Sequence, residues 1–245
     1  MSRCPNIEAA AWDSAFFGYP IGRAVFPHDY AADSLASDAE TIVAHSRERG
    51  FKLTYVFLEF SVEAALSEIL TRKGFRNVGG KREYQLDLSS LSLDDAELKQ
   101  ISHCRHVTPP LVELAMQSGA FSRFKLDSGF LKNEFEKLYR EWIRKAVEET
   151  PTHSTFIHGA DDHPQGFISV DADETGACVG LLAVAPESRR LGIGRTLLRY
   201  AEKHAVSLGY DQMRVATQTG NPACAFYESE GFHCMSETAI FHLWL

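Results

Sequence analysis

The residues of this chain best placed to do chemistry are Arg189-Arg190-Leu191-Gly192-Ile193-Gly194-Arg195-Thr196. Three cations and two glycines crowd one short turn. Glycine lets a backbone come close to a ligand, because no Cβ stands in the way. From Ile193 onward, Leu197, Ala201, Ala205 and Leu208 fall on one helical face that ends at Gly209. The glycines therefore stand where a helix begins. The first N–H groups of a helix have no internal partner, and its dipole favours negative charge there. This pattern predicts a site for a phosphate or pyrophosphate. Before it, Ala177 to Val184 is almost wholly apolar and too short for a helix, which predicts an interior strand stopped by Pro186.

The phosphate ligand can be narrowed. No Gly-x-x-x-x-Gly-Lys-Ser/Thr occurs here, which argues against a nucleoside triphosphate loop. No Gly-x-Gly-x-x-Gly with an acidic residue about 20 positions on occurs either, which argues against a dinucleotide fold. What stands here is Arg189-x-x-Gly192-x-Gly194 after Leu182-Ala183-Val184-x-Pro186. Downstream lie Val215-Ala216-Thr217, Asn221-Pro222-Ala223-Cys224-Ala225-Phe226-Tyr227 and Glu230-Gly231-Phe232. Together these segments resemble the GNAT family, the GCN5-related N-acetyltransferases.

The resemblance implies an α+β fold: a mixed, mostly antiparallel central sheet flanked by helices. It implies acetyl-CoA as co-substrate and no metal. The coenzyme would lie along Leu182, Ala183 and Val184 and against Arg189, Arg190, Leu191, Gly192, Ile193, Gly194, Arg195, Thr196 and Asn221. A strand bulge near the thioester would offer a free N–H to the developing oxyanion. Tyr227 would be the general acid, since a phenol near pKa 10 stays protonated at neutral pH and can protonate a thiolate. It could equally be a buried aromatic, and Asn221 could be a helix cap, a coenzyme contact or both. No general base stands out. Glu59, Glu134 and Glu141 are candidates without a distinguishing feature, and the ten histidines are scattered.

Composition sets bounds. The 245 residues allow one large domain or two smaller ones, and 44% apolar content suffices for real cores. A net charge of −8 argues against nucleic acid as the main partner. The arginine cluster is thus a local basic patch on an acidic chain. Cys4, Cys104, Cys178, Cys224 and Cys234 form no Cys-x-x-Cys and no zinc-like spacing with His. Reduced thiols in a cytoplasmic protein are expected. No apolar run is long enough for a membrane span or a signal peptide.

The elements that must hold the site follow in order. An aromatic loop is expected at 12–18, then a strand over 21–26. Ser34 caps a helix to Arg49, a strand covers 53–60, and Ser61 caps a helix ending at Gly74. A turn at Gly79-Gly80 precedes a strand over 82–88. Setting Gly74-Phe75 over Gly231-Phe232 aligns Tyr84, Leu86 and Leu88 with Phe241, Leu243 and Leu245. We therefore expect residues 1–92 to be an N-terminal truncated GNAT-like half without its own phosphate loop, and 93–245 to be the catalytic domain. Residues 91–95 read as a linker. A helix starts at Pro109-Pro110, 118–129 is irregular, and 130–149 is an amphipathic helix. Strands at 155–159 and 166–170 precede the core strand.

Three further passages resemble one GNAT subgroup, which acetylates the nucleotide-linked amino sugar TDP-fucosamine for bacterial surface polysaccharide. They are Trp12-Asp13-Ser14-Ala15-Phe16-Phe17-Gly18, Ser122-Arg123-Phe124 with Tyr139-x-x-Trp142-Ile143, and Arg214-Val215-Ala216-Thr217-Gln218-x-Gly220-Asn221. Arg123 and Phe124 are the substrate-binding candidates this implies; Arg123 suits a diphosphate or a carboxylate. The stretch Lys125-Leu126-Asp127-Ser128-Gly129 departs from the subgroup. The expected function is therefore N-acetylation of a nucleotide-linked amino sugar. Another small amine, a peptide N-terminus, or a non-catalytic acyl-CoA-binding module are the alternatives. A homodimer stays open, and the acceptor is not legible.

Overall fold

A computed structural model describes residues 5–60, 62, 64–89, 100–148, 150 and 152–245. In chain order the elements are β1 (Glu8–Ala9), α1 (Ala11–Phe17), β2 (Ile21–Phe26), α2 (Leu35–Glu48), β3 (Leu53–Leu58), α3 (Ala64–Arg72) and β4 (Phe75–Asp87). Then come β5 (Ile101–His103), α4 (Pro109–Ser118), α5 (Arg123–Leu126), α6 (Lys132–Val147), β6 (His153–Ala160), β7 (His163–Asp173) and β8 (Gly176–Val184). The chain ends with α7 (Ile193–Ser207), β9 (Gln212–Gln218), α8 (Ala223–Ser229) and β10 (His233–Trp244). Two compact units form. One takes Met1–Arg82, Leu126–Gly129 and Ser236–Leu245; the other takes Glu83–Lys125 and Phe130–Met235. Among the described residues no helix is long and apolar enough to cross a membrane.

In the first unit β1 and β2 pair antiparallel, β2 and β3 parallel, and β3 and β10 antiparallel. The parallel pair needs a crossover, and α2 supplies it. Leu35, Ala39 and Ile42 recur at helical spacing on α2 and are buried with Val56, Leu58 and Phe241. The segment Leu126–Gly129 is held here by one buried carboxylate. Asp127 Oδ2 lies 2.6 Å from His242 Nδ1 and accepts from Trp244 Nε1 at 2.7 Å. Its Oδ1 accepts from the Gly129 amide at 2.9 Å and from Arg76 at 3.2 Å. The stretch that departs from the subgroup is thus an anchor in this chain.

The second unit has the strand order β9-β8-β7-β6-β5, with the tail of β4 beside β9. β5 to β8 are antiparallel, and β8 pairs parallel with β9. Its two faces carry different helices. Ile168, Val170, Ala177 and Val179 pack with Leu197, Leu198 and Ala201 of α7 and with Tyr227 and Phe232. Phe167, Ala183 and Ile157 pack with Leu111 and Ala115 of α4 and Ile143 of α6. The alternation along β7 and β8 is the period of two of a strand buried on both sides.

Several expectations need correction. The aromatic stretch 12–18 is helix α1, closed by Gly18 at φ 80, where the ring stack of Trp12 on Phe16 spans one helical turn. Gly79-Gly80 makes no turn: β4 runs unbroken through it, with Gly79 at φ 95. The irregular stretch contains the short helix α5. Ser34 precedes α2 but its side chain makes no cap bond. Thr108 accepts from the Leu111 amide at the start of α4. Ser61, residues 91–95 and Cys4 lie outside the described residues. The four described cysteines are free thiols.

Burial alone would raise the Asp127 pKa, but the bonds from His242, Trp244 and the Gly129 amide outweigh it and hold the carboxyl well below its ordinary range. The unfolded chain therefore takes up the proton first. The contribution of Asp127 is whole above the unfolded value near ~4 and is lost as pH falls toward the folded one. Asp127→Asn should cost roughly 1–3 kcal/mol at pH 7. The difference from the parent should shrink in urea titrations below about pH 4.

Candidate active site

The ladder between β8 and β9 has three rungs: Ala177–Met213, Cys178–Arg214 and Val179–Val215. Beyond Val179, β8 keeps its β7 partners but gains none on the β9 side. A parallel ladder that stops leaves one edge of each strand with unpaired N–H and C=O groups. The divergence begins at a bulge. Ile168 pairs with Leu182 and Val170 with Val179, so Gly180 and Leu181 both stand opposite Ser169. The Leu181 amide, displaced from the ladder, donates to Ser169 Oγ at 2.8 Å. The extra residue re-aims the strand, so Val179 and Leu182 face the same side although three apart.

A cavity of about 760 Å³ opens beside this edge. Leu182, Ala183 and Val184 form one wall, and the Ser188–Arg195 turn forms its head. Pro222, Ala223, Ala225, Phe226, Ser229 and Glu230 close it from α8. The head is built for an anion. Gly192 precedes α7 at φ 83, and Arg190 has φ 65, the one positive φ outside glycine among the described residues. Such a backbone is costly for arginine, and the first N–H groups of α7, just after Gly192, have no partner within the helix. Arg189 is tied back by its Nε to the Val184 carbonyl at 3.1 Å. Arg195 is held by Nε to Glu230 Oε1 at 2.8 Å, and the Glu230 carboxylate is 2% exposed. One end of the cavity is thus cationic and rich in N–H donors, and the other is apolar.

The architecture is that of known acetyltransferases. Residues 120–232 match the acetyltransferase (GNAT) family. Residues 120–232 are a GNAT domain. The chain is 28% identical to a dTDP-fucosamine acetyltransferase of Escherichia coli O6:H1 over 223 residues, 89% of this chain and 88% of that protein. A GCN5-related N-acetyltransferase from Sphaerobacter thermophilus has TM-score 0.58 at 11% identity, over 91% of this chain and 73% of that one. A tandem GNAT protein from the clavulanic acid biosynthesis pathway has TM-score 0.50 at 16% identity, over 93% and 76%. The family match and the relative's name support an N-acetyltransferase enzyme, and the fold is the mixed sheet with flanking helices.

Most residues expected at the GNAT coenzyme site meet at this cavity: Leu182, Ala183, Val184, Arg189, Arg190, Gly192, Ile193, Gly194 and Arg195. Others sit elsewhere. Leu191 is 70% exposed on the outside of the turn. Thr196 bonds back to the Gly192 carbonyl at 3.3 Å. Asn221 caps α8, its Oδ1 accepting from the Ala223 amide at 3.0 Å. Tyr227 is 4% exposed, packed against Tyr84, Phe226 and Phe232. It does not line the cavity; its neighbour Phe226 does. On a helix, adjacent residues point about 100° apart, so the two rings face different ways. The spacing Pro222, Phe226, Ser229, at i, i+4, i+7, could have revealed the lining face.

Phe124 is buried against Phe130 and near Trp142, and Arg123 stacks over the Phe124 ring at 4.6 Å. Neither lines the cavity. Beneath them Tyr139 is pushed up to about 12 by burial. Of the named bases, Glu134 Oε2 accepts from the Leu131 amide at the start of α6. Glu141 is paired with Arg144 on the surface, and Glu59 is exposed in the other unit.

Gly192→Val forces a β-branched residue into φ 83, a strain of roughly 1–2 kcal/mol. In Gly194→Val the new side chain grows toward Val184 and Phe226, 3.7 Å from its Cβ, and narrows the cavity. Calorimetry should find acetyl-CoA binding at least about tenfold weaker in both, a loss of ~1.4 kcal/mol. Arg189→Ala, which removes a tie to Val184 and leaves the N–H groups in place, should cost less.

Proposed function

We propose that this enzyme acetylates the amine of a nucleotide-linked amino sugar, with acetyl-CoA as donor. The supporting observation for the donor is the cavity itself, a cationic N–H-rich head at α7 continuing into an apolar slot along Leu182 and Val184. GNAT enzymes use acetyl-CoA on small-molecule amines. Support for the acceptor is the likeness to a dTDP-fucosamine acetyltransferase, which spans almost the whole of both chains rather than the coenzyme segment alone. The residues expected to hold the sugar nucleotide, Arg123 and Phe124, do not carry this reading, since they lie in the aromatic packing of α5 and α6.

The residues divide the work. The N–H groups at Arg190–Gly194 and the arginine charges take the pyrophosphate. The unpaired edge of β8 after Val179 offers backbone donors for the pantetheine arm and for the carbonyl oxygen as it gains charge. Tyr227 is the proposed proton donor to the departing thiolate, although in the structure Phe226 and not Tyr227 lines the cavity. Burial raises its phenol well above the ordinary tyrosine value, so the proton is in place at neutral pH. Residues 1–92 are proposed as a truncated GNAT-like half without a coenzyme site, in a protein working without metal.

A thiol-release assay with dTDP-fucosamine, free amino sugars, a polyamine and a peptide N-terminus tests the acceptor. We expect turnover with the nucleotide sugar at least about tenfold above the others in kcat/KM, the scale of ~1.4 kcal/mol of differential transition-state binding. Equal rates with the peptide would overturn it. One acetyl-CoA per chain is expected by calorimetry. Tyr227→Phe should lower kcat by roughly 100-fold with little change in coenzyme affinity or melting temperature. Wild-type turnover in a stable Tyr227→Phe variant would remove Tyr227 from the mechanism.

A further inference from the structure

Amide formation on an amine needs a group to take its proton, and the residues considered above supply none. We propose that Asp171 is the general base, acting on the acceptor amine at the vertex of the β8–β9 opening, from the sheet face opposite α7.

The geometry carries this assignment. Asp171 is the cross-strand partner of Cys178, the rung next to the last of the β8–β9 ladder. Its carboxylate leans along β7 over Gly180, the first residue of β8 past that ladder. A Cβ built on Gly180 would stand 2.7 Å from Asp171 Oδ2 and 2.8 Å from Ser169 Oγ. A side chain at 180 would push the carboxylate off this point, and Ser169 is the residue that accepts the bulged Leu181 amide. One carboxylate and one displaced N–H therefore flank the same point of the strand. Coenzyme wall residues Leu182 and Val184 pack toward α7. The bulge at Gly180 and Leu181 reverses the phase of β8, so Asp171, Cys178 and Gly180 face the other way. Past Val179 no ladder joins β8 to β9, so groups on the two faces of the sheet are not separated there by paired backbone. On the Asp171 side, Gly180 and Ala216 are exposed there. An amine can approach there while the thioester is held from the other side.

The surroundings suit a base. Asp171 is 44% exposed, so a substrate can reach it. Burial of the carboxyl among the strands nevertheless raises its pKa, and the His153 charge opposes this only in part. His153 Nε2 is 3.8 Å from Oδ1. Arg214, on the neighbouring strand, is committed to Asp173 through two contacts of 2.9 Å and does not neutralise Asp171. The Cys178 thiol is raised by burial, then by the Asp171 charge, and stays neutral. Glu83 also acts on Cys178 and adds negative potential to this side of the sheet.

In the reaction, R–NH3+ gives one proton to the Asp171 carboxylate. The freed nitrogen lone pair forms the N–C bond to the thioester carbonyl carbon. The C–S bond breaks and its electron pair leaves on sulfur, which takes a proton. The nitrogen's second proton replaces the one given to sulfur, and Asp171 returns its own to solvent. The net change is amine cation plus acetyl-CoA to amide, free thiol and one proton.

The proposal rests on the acetyltransferase reading and not on the identity of the acceptor. The test uses the full-length protein and acetyl-CoA thiol release, with dTDP-fucosamine and with the amine that the wild type turns over fastest. Asp171→Asn should lower kcat at pH 7 by roughly 100-fold or more, with KM for acetyl-CoA unchanged. Its melting temperature should be equal or higher, because a carboxyl raised by burial costs stability when ionised. The wild-type rate should fall on acidification as Asp171 is protonated. The variant should lose that limb and instead climb with pH as the free amine accumulates. Asp171→Glu should recover part of the rate, and Gly180→Ala, which displaces the carboxylate, should lower kcat with the coenzyme still bound. An Asp171→Asn variant within about twofold of wild type, or one with an unchanged pH profile, overturns the assignment. A loss that tracks weaker acetyl-CoA binding or a lower melting temperature overturns it too. If dTDP-fucosamine is inert but the variant loses turnover of another amine, the acceptor reading falls and Asp171 stands.

Discussion

The constraint on which the site depends is the end of the β8–β9 ladder at Val179 and Val215. Backbone N–H and C=O groups buried without partners are expensive, so a sheet rarely stops pairing in its middle. Here it does, next to a bulge that shifts the register on the β7 side at the same level. The edge that β9 leaves unpaired is where, on the proposed reading, a thioester carbonyl and an amide chain would find their partners.

Everything around that opening keeps it from closing. α7 packs on β7 and β8 through Leu197, Leu198 and Ala201, with its N-terminus at the head of the slot. α8 lies across the other end and presents Phe226 to the slot while burying Cys224 and Tyr227. α4 and α6 brace the reverse face through Leu111, Ala115 and Ile143. Electrostatics follows the same plan. Glu230 pairs with both Arg195 and Arg199, so a cation stands fixed at the head of a slot in an acidic chain. Glu202, fully buried on α7 beside Arg199, has its pKa raised by burial and completes that chain of charges.

The cost of the opening is borne by nearby local strain. Arg190 sits at φ 65, a conformation that side chains with a Cβ resist. Its place in an exposed turn at the head of the cavity fits a backbone shaped for a ligand rather than for its own stability. Asp171 is of the same kind, a carboxyl kept where burial opposes its charge. Asp127 is the opposite case. Four donors satisfy it, and it serves anchoring in the other unit.

Much was legible from the residues alone. The period of α7, the apolar run of β8, the turn glycines and the GNAT resemblance all depend on local spacing, and spacing is a property of the chain. So the residues from Leu182 to Arg195 that were expected to act together do meet at one cavity, apart from Leu191. What the chain could not disclose depends on register and on rotation about a helix axis. Tyr227 and Phe226 are neighbours in sequence, and only the packing of α8 decided which ring meets the slot. Gly180 reads as one more small residue in a strand. Pairing with β7 is what puts Asp171 and Ser169 over it and makes it the bulge. Asp127 and His242 are 115 positions apart and meet only because the fold brings distant segments into one core. The sequence by itself determined most of the elements and the expectation of an anion at the start of α7; the tertiary structure decided which side chains share a space, because strand register and helix phase are set by long-range packing.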